Sequence, residues 1–312
     1  MKKKIVISEF MDETAVAALQ GQFDVLYDPL LVKDSERLKQ VAADAQALIV
    51  RNQTPVNQDL LAACQQLVFV GRLGVGLDNI DLPACKQRGI KVQPATGANS
   101  AAVAEYVIGT AMLLLRGAYL SSAQVAAGQW PRARLSEGRE IGGKTLGLIG
   151  FGSIGREVAS RAQALLGMTV VAFDPAIEAG ASVWAQTCVG SVTLEQLLSA
   201  ADMVSLHVPL TADTRNLLSA QRIAALRPGA VVINTARGGI LDEAALAQAI
   251  RDGRLGGAAI DVFEHEPLPD KNVWSDCPNV VLTPHIGGVT LESNQRVSSM
   301  IATETARFLG EK

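Results

Sequence analysis

The segment that constrains this chain most is Gly150-Phe151-Gly152-Ser153-Ile154-Gly155, set between an apolar strand-like stretch at 145–149 and a helical stretch at 156–166. Gly150 permits the tight turn out of the strand, Gly152 lets a backbone come close to a pyrophosphate, and Gly155 lets helix pack on strand. The helix start presents unpaired N–H groups to an anion. Alone, the spacing also fits a turn that merely packs a helix, with Asp174 a turn residue before Pro175. Strand, helix and acid together favour a dinucleotide site. Asp174 lies nineteen positions after Gly155, at the end of the apolar run 170–173. A carboxylate there accepts from ribose hydroxyls and repels a 2′-phosphate, so NAD is expected rather than NADP.

The same alternation of apolar runs and helical patterns extends along the chain. Strands are predicted near 4–8, 47–50, 67–72 and 91–93, with helices from Glu13 and Asn57. A second series continues from 145–149 through 169–173, 203–207, 231–234, 258–262 and 280–283. The expectation is an α/β protein: a doubly wound parallel sheet of Rossmann type, plus a smaller flavodoxin-like α/β domain. Residues 100–116 read as a buried helix with Ser100 as its cap, at the junction between domains. The polar helix 290–310 can return to the first domain, which is then discontinuous: 1–99 with 289–312 for substrate, 100–288 for NAD. No repeat or low-complexity segment interrupts this pattern.

Composition narrows the function. With 48% hydrophobic and 19% charged residues the chain has ample core, and its net charge of −3 without a basic block argues against a nucleic-acid partner. The apolar start is broken by Ser8, Glu9 and Asp12, and the longest apolar stretch, 107–115, is about half a membrane span. A cytoplasmic protein with no membrane partner is expected. The four cysteines form no CxxC pair, so reduced thiols and no metal site are expected.

Hydride exchange at an alcohol carbon needs a proton carrier and a cation that orients a carboxylate. Three histidines are available. His285 follows an apolar strand in Thr283-Pro284-His285-Ile286-Gly287, at the carboxyl end of a parallel sheet where ligands bind. His207 also ends a strand and can line the cofactor, whereas His265 lies in a polar loop and reads as solvated. A carboxylate on one ring nitrogen favours the imidazolium form; Glu266 and Glu264 both qualify by spacing. Arg237 stands at another strand end and can clamp a carboxylate bidentately, with Gly238-Gly239 leaving room for a ligand.

Four blocks, Gly150 to Gly155, Asn234-Thr235-Ala236-Arg237-Gly238-Gly239, Asp261-Val262-Phe263-Glu264-His265-Glu266-Pro267 and Thr283 to Gly287, resemble in order and spacing those of the D-isomer-specific 2-hydroxyacid dehydrogenases. The resemblance spans nearly the whole chain. It implies that Arg237 binds the substrate carboxylate and carbonyl, that His285 is the general acid/base, and that Glu266 rather than Glu264 pairs with it. It further implies that Asp261 meets the nicotinamide carboxamide, and that Val75, Ser153, Ile154, Pro175, His207, Val208, Pro209, Thr214, Thr235, Ala236, Gly287 and Gly288 join the glycines, Asp174, Arg237 and His285 around NAD. A homodimer is implied as well.

The first domain bears on the substrate. Gly71-Arg72-Leu73-Gly74-Val75 is similar to the family loop whose amides receive the carboxylate, making Leu73, Gly74 and Val75 candidates. Arg51 and Arg72 are similar to phosphate-holding positions of 3-phosphoglycerate dehydrogenases, and Trp130-Pro131-Arg132-Ala133-Arg134 to a segment that lends a basic residue, here Arg132 or Arg134, across a dimer. Loop-capping or ion-pairing roles also fit Arg51 and Arg72. A three-carbon acid with a second anion is expected, 3-phosphoglycerate or 3-sulfolactate, with short matches at 7–13 and 51–54 closer to sulfolactate dehydrogenases. The alternatives are a glyoxylate or hydroxypyruvate reductase, and a sensing dimer that binds NAD(H) without turnover. Since the sequence stops at Lys312, serine feedback through a C-terminal domain is not expected.

Overall fold

The computed structural model describes residues 2–311. The chain divides into two compact units, one of the residues up to Asn99 with those from Val289, the other Ser100–Gly288.

The first unit holds a parallel sheet of β1 (Lys4–Ile7), β2 (Asp24–Tyr27), β3 (Ala47–Val50), β4 (Phe69–Arg72) and β5 (Lys91–Pro94) in the order β2-β1-β3-β4-β5. That order is flavodoxin-like. Strand side chains alternate between faces, so Ile5, Ile7, Ile49 and Phe69 enter one core and Val6, Leu48, Val50 and Val70 the other. The Leu291–Gly310 helix contributes Val297, Ile301 and Leu309 to the first core. Gly71 makes this seat possible: a Cβ there would lie 2.6 Å from Ile301 Cγ2.

The second unit carries seven parallel strands: β6 (Thr145–Ile149), β7 (Thr169–Phe173), β8 (Gly190–Ser191), β9 (Met203–Leu206), β10 (Val231–Asn234), β11 (Gly257–Ile260) and β12 (Val280–Leu282). The order β12-β11-β10-β9-β6-β7-β8 reverses direction between β6 and β9, the switch point of a doubly wound sheet. The Ser100–Arg116 helix covers one face through Val103, Val107 and Leu114. Among the described residues no single helix is long and apolar enough to cross a membrane.

Three local expectations need correction. β2 and β8 went unread: one is a half-exposed edge strand opening on an aspartate, the other two residues long. Ser100 does not cap its helix but opens the first turn, and its buried hydroxyl has no hydrogen-bond partner.

Candidate active site

The glycine loop sits at the switch point. Gly150 has φ 97°, and a Cβ on it would meet the His207 carbonyl oxygen at 2.5 Å, so the β6 and β9 ends meet only because it is bare. A Cβ on Gly155 would strike the Gly150 carbonyl oxygen, whereas one on Gly152 would meet nothing within 4 Å. Gly150 and Gly155 therefore serve packing, and Gly152 leaves open space before the Ser153–Leu166 helix. That helix has no side-chain cap, so its first N–H groups are available to an anion. Asp174 Oδ2 accepts from Phe151 N–H (2.8 Å) and Oδ1 from Ala176 N–H (3.0 Å), fixing the carboxylate beside the loop. These residues fit a dinucleotide.

The remaining cofactor candidates of this unit line the strand ends. Ser153, Ile154, Val208 and Gly288 are half-buried, Pro175 and Pro209 exposed, and Ala236 and Gly287 buried. Thr214 Oγ1–H donates to the Pro209 carbonyl (2.6 Å), while the buried Thr235 Oγ1 has no hydrogen-bond partner. His207 is half-buried beside Ser205 Oγ (2.9 Å), and burial pushes its imidazole down to about 4, so it is a neutral ring.

The geometry around His285 is built from two strand ends, those of β11 and β12. After β12 the chain turns at His285, a non-glycine residue at φ 56°, whose N–H donates to the Asp261 carbonyl (2.8 Å). The buried Asp261 carboxylate holds this turn: Oδ1 accepts from Ile286 N–H (2.8 Å) and Thr283 Oγ1–H (2.6 Å), and Oδ2 from Gly287 N–H (2.8 Å). Tyr106 bonds to the same threonine hydroxyl (2.7 Å); burial pushes its phenol up to about 12. His285 Nδ1 thus lies 2.8 Å from Glu266 Oε2, while Glu266 Oε1 accepts from Phe263 N–H (3.0 Å). Glu264 is not the partner; its N–H is turned to Glu243 Oε1 (2.8 Å). With Nδ1 engaged, Nε2 of the 40% exposed His285 side chain is the ring atom left for substrate.

Arg237 follows β10 in a loop shaped by Asn234, whose Nδ2–H donates to Arg237 O (2.9 Å) and whose Oδ1 accepts from Ala236 N–H (3.0 Å). Gly238 gives no room to a ligand. Its hydrogen faces the Phe263–Glu264 peptide so closely that a Cβ would overlap the Phe263 carbonyl and lie 2.5 Å from Glu264 N. This contact holds the arginine loop against the loop of Glu266.

In the first unit the Arg51 backbone N–H donates to the buried Glu9 carboxylate (2.7 Å), as do those of Gln53 (3.1 Å) and Thr54 (2.9 Å). The Arg51 guanidinium donates to Asn294 Oδ1 (3.0 Å) and lies 5.9 Å from the centre of the Phe10 ring. Burial pushes its pKa down, offset in part by Glu9. Arg72 folds back over its own loop, donating to Leu73 O (3.1 Å) above Gly74. Leu73 and Gly74 are buried and Val75 half-buried, with the Gly74 carbonyl tied to Ala95 N–H (2.9 Å). Arg132 and Arg134 lie on an exposed turn of helix in the other unit, where Arg134 donates to Gln124 Oε1 (3.2 Å).

A cavity of about 550 Å³ borders this machinery without including Arg237, Glu266 or His285; Arg215, Asp242, Glu243, Glu264 and His265 line it. Among the described residues no group of three or more His, Cys, Asp or Glu could hold a metal ion.

Residues 108–287 match the family model of the D-isomer specific 2-hydroxyacid dehydrogenase, NAD binding domain. The chain belongs to this family. As a 2-hydroxyacid dehydrogenase it is an NAD-dependent oxidoreductase that interconverts 2-hydroxy and 2-keto acids. It is 52% identical over 306 residues to an (S)-sulfolactate dehydrogenase of Chromohalobacter salexigens, covering 98% of both chains. Identity to a hydroxypyruvate reductase of Thermotoga maritima is 39% over 311 residues, again 98% of both. Its fold matches a D-lactate dehydrogenase of Aquifex aeolicus complexed with NAD and lactic acid, with TM-score 0.85 and 26% identity over 99% of this chain and 96% of that one. Sequence reasoning about the dehydrogenase missed Asn294 and Glu243, ordinary polar residues of helices whose partners are distant in sequence.

Proposed function

We propose that this enzyme oxidises, and by reduction of the 2-keto acid re-forms, a three-carbon 2-hydroxy acid bearing a second anionic group, 3-sulfolactate in preference to 3-phosphoglycerate. The observation that carries the chemistry is the 2.8 Å Glu266–His285 pair held beside the Arg237 loop. When bound, NAD accepts or supplies the hydride at the substrate C2. In the oxidative direction His285 Nε2 takes the hydroxyl proton as the carbonyl forms, and Glu266 stabilises the resulting imidazolium. In reduction the proton returns to the oxygen. Arg237 binds the carboxylate and the carbonyl oxygen, and the neutral His207 lines the cofactor. Asp261 holds the His285 turn through Ile286, Thr283 and Gly287, and would contact the carboxamide of bound NAD from that turn.

The second anion is assigned to Arg51 and Arg72, with Val75 receiving the carboxylate through its amide; the Leu73 and Gly74 amides, also expected there, instead donate to the carbonyls of Val50 (2.8 Å) and Arg72 (2.8 Å). Two observations support this: Arg51 is oriented by Asn294 and Phe10 rather than by an ion pair across the sheet, and the chain is similar to a sulfolactate dehydrogenase. A homodimer in the cytoplasm is part of the proposal, with Arg132 or Arg134 reaching the partner's site. It is supported by exposed apolar side chains around that helix, Trp130 at 78% and Tyr119 at 61%.

The test is NADH oxidation with 3-sulfopyruvate, 3-phosphohydroxypyruvate, hydroxypyruvate and glyoxylate, for the wild type and Arg51→Ala. A charged hydrogen bond of about 1.5–3 kcal/mol predicts a KM rise of roughly ten-fold or more for the sulfonate, and little change for glyoxylate. Equal effects on both would remove the second-anion reading.

A further inference from the structure

We infer that Glu243 is a positioning residue that closes the loop carrying Glu266, so that the catalytic pair depends on a carboxylate that does not touch it. Glu243 is the first residue of the Glu243–Arg251 helix. The cap of that helix is supplied by its neighbour, Asp242, whose Oδ1 accepts from Ala245 N–H (2.9 Å). Glu243 is therefore spared that task, and its two oxygens go elsewhere. Oε1 accepts from Glu264 N–H (2.8 Å) and Oε2 from the Trp274 indole Nε1–H (3.0 Å).

These two donors bracket one loop. Residues 264–267, which include Glu266, are exposed, and Leu268, Pro269 and Asn272 add no buried side chain before Trp274, which is 2% exposed and sits in the core. Apolar burial thus anchors the far end, and on the near side it stops at Phe263, 7% exposed and in the same core, one residue short of the Glu264 amide. At the near end, Gly238 pressed on the Phe263–Glu264 peptide supplies a stop from one side, and the Glu243 carboxylate supplies the attraction. One residue after Glu264 N–H comes His265, then Glu266, whose Oε1 returns to Phe263 N–H. A shift of the Glu264 amide is consequently a shift of the Glu266 backbone, and the carboxylate must hold its distance to His285 Nδ1 within a few tenths of an ångström to stay hydrogen-bonded.

Carboxylate acceptors are the stronger class of hydrogen bond, and here one side chain serves both ends of the loop. Alanine at 243 removes both bonds. Glutamine retains one acceptor oxygen and offers an amide N–H₂ that cannot accept, so it keeps one bond. The effect falls on the chemical step, because nothing in the glycine loop or at Asp174 is touched.

The inference rests on the proposed roles of Glu266 and His285, and the experiment separates the two. Steady-state kinetics, NADH binding and amide hydrogen exchange are measured for the wild type, Glu243→Ala, Glu243→Gln, Glu266→Gln and the Glu243→Ala/Glu266→Gln double variant. Expected for Glu243→Ala are a kcat lower by about ten-fold or more, an NADH Kd within about two-fold of wild type, and faster exchange at the 262–268 amides; Glu243→Gln falls between. In the double variant kcat equals that of Glu266→Gln, since the lost contact has nothing left to position. A kcat for Glu243→Ala within about two-fold of wild type, or the same loss in both backgrounds, overturns the inference. Full activity of Glu266→Gln instead overturns the reading on which it rests.

Discussion

Gly238→Ala is the substitution for which the structure gives the most direct arithmetic. Gly238 is not at positive φ, so alanine is conformationally allowed and the whole effect is steric. The added methyl would overlap the Phe263 carbonyl and sit 2.5 Å from Glu264 N, where ordinary contact begins near 3.4 Å. Both obstacles are backbone, and neither can rotate away. The Arg237 and Glu266 loops must therefore separate by about 1 Å or more. Overpacking of this kind costs roughly 1–3 kcal/mol of stability. A displacement of about 1 Å at a reacting centre costs on the order of 10²-fold in rate, the larger and more diagnostic effect. The assay is loss of NADH absorbance with a saturating keto acid, alongside a thermal melt and NADH binding by fluorescence. A folded variant that binds NADH and has kcat lower by about 10²-fold is expected. A kcat within about two-fold of wild type in a folded variant would refute the claim that this contact sets the distance between the arginine and the acid/base pair.

Asp174→Ala removes the carboxylate proposed to repel a 2′-phosphate, and the ratio of kcat/KM for NADPH over NADH should rise by about ten-fold or more; an unchanged ratio would detach Asp174 from cofactor choice. Because the same variant loses the acceptor for Phe151 N–H, weaker NADH binding should accompany the change. His207, pushed down to about 4 by burial, is neutral in the folded protein while the unfolded chain takes up a proton near the ordinary value of about 6.5. Protons bound by the unfolded state lower stability as pH falls from about 6.5 toward 4, by no more than about 3 kcal/mol and less as water reaches the half-buried ring. Denaturant unfolding at pH 5 and 7 should show this slope and His207→Gln should lose it; an NMR titration of His207 centred near 6.5 would contradict the assignment.

Much of the candidate site was legible because its residues sit where strands end. Gly150, Gly152, Gly155 and Asp174 announce a nucleotide through local spacing, and Arg237 and His285 follow apolar runs that mark the carboxyl ends of β10 and β12. The choice between Glu264 and Glu266 was not local: both lie within two residues of one another, and only the Phe263 N–H bond and the Glu243 clamp turn Glu266 toward the imidazole. Gly238 was misread as ligand space for the same reason, since its packing partner is twenty-five residues away. β2 escaped notice because an edge strand buries too little to write an apolar signature, its four residues being exposed or half-exposed. Arg51 carried a charge that spacing alone could assign to a loop cap; its bonds to Asn294 and Phe10 come from opposite ends of the chain.

The most direct test is His285→Ala, assayed for turnover and for NADH binding in the same preparation. His285 touches Glu266 and the Asp261-held turn but none of the glycine loop, so NADH affinity should stay within about two-fold while kcat falls by 10²-fold or more, the range of general acid–base catalysis. Turnover near the wild-type rate would place the proton carrier elsewhere and contradict the account.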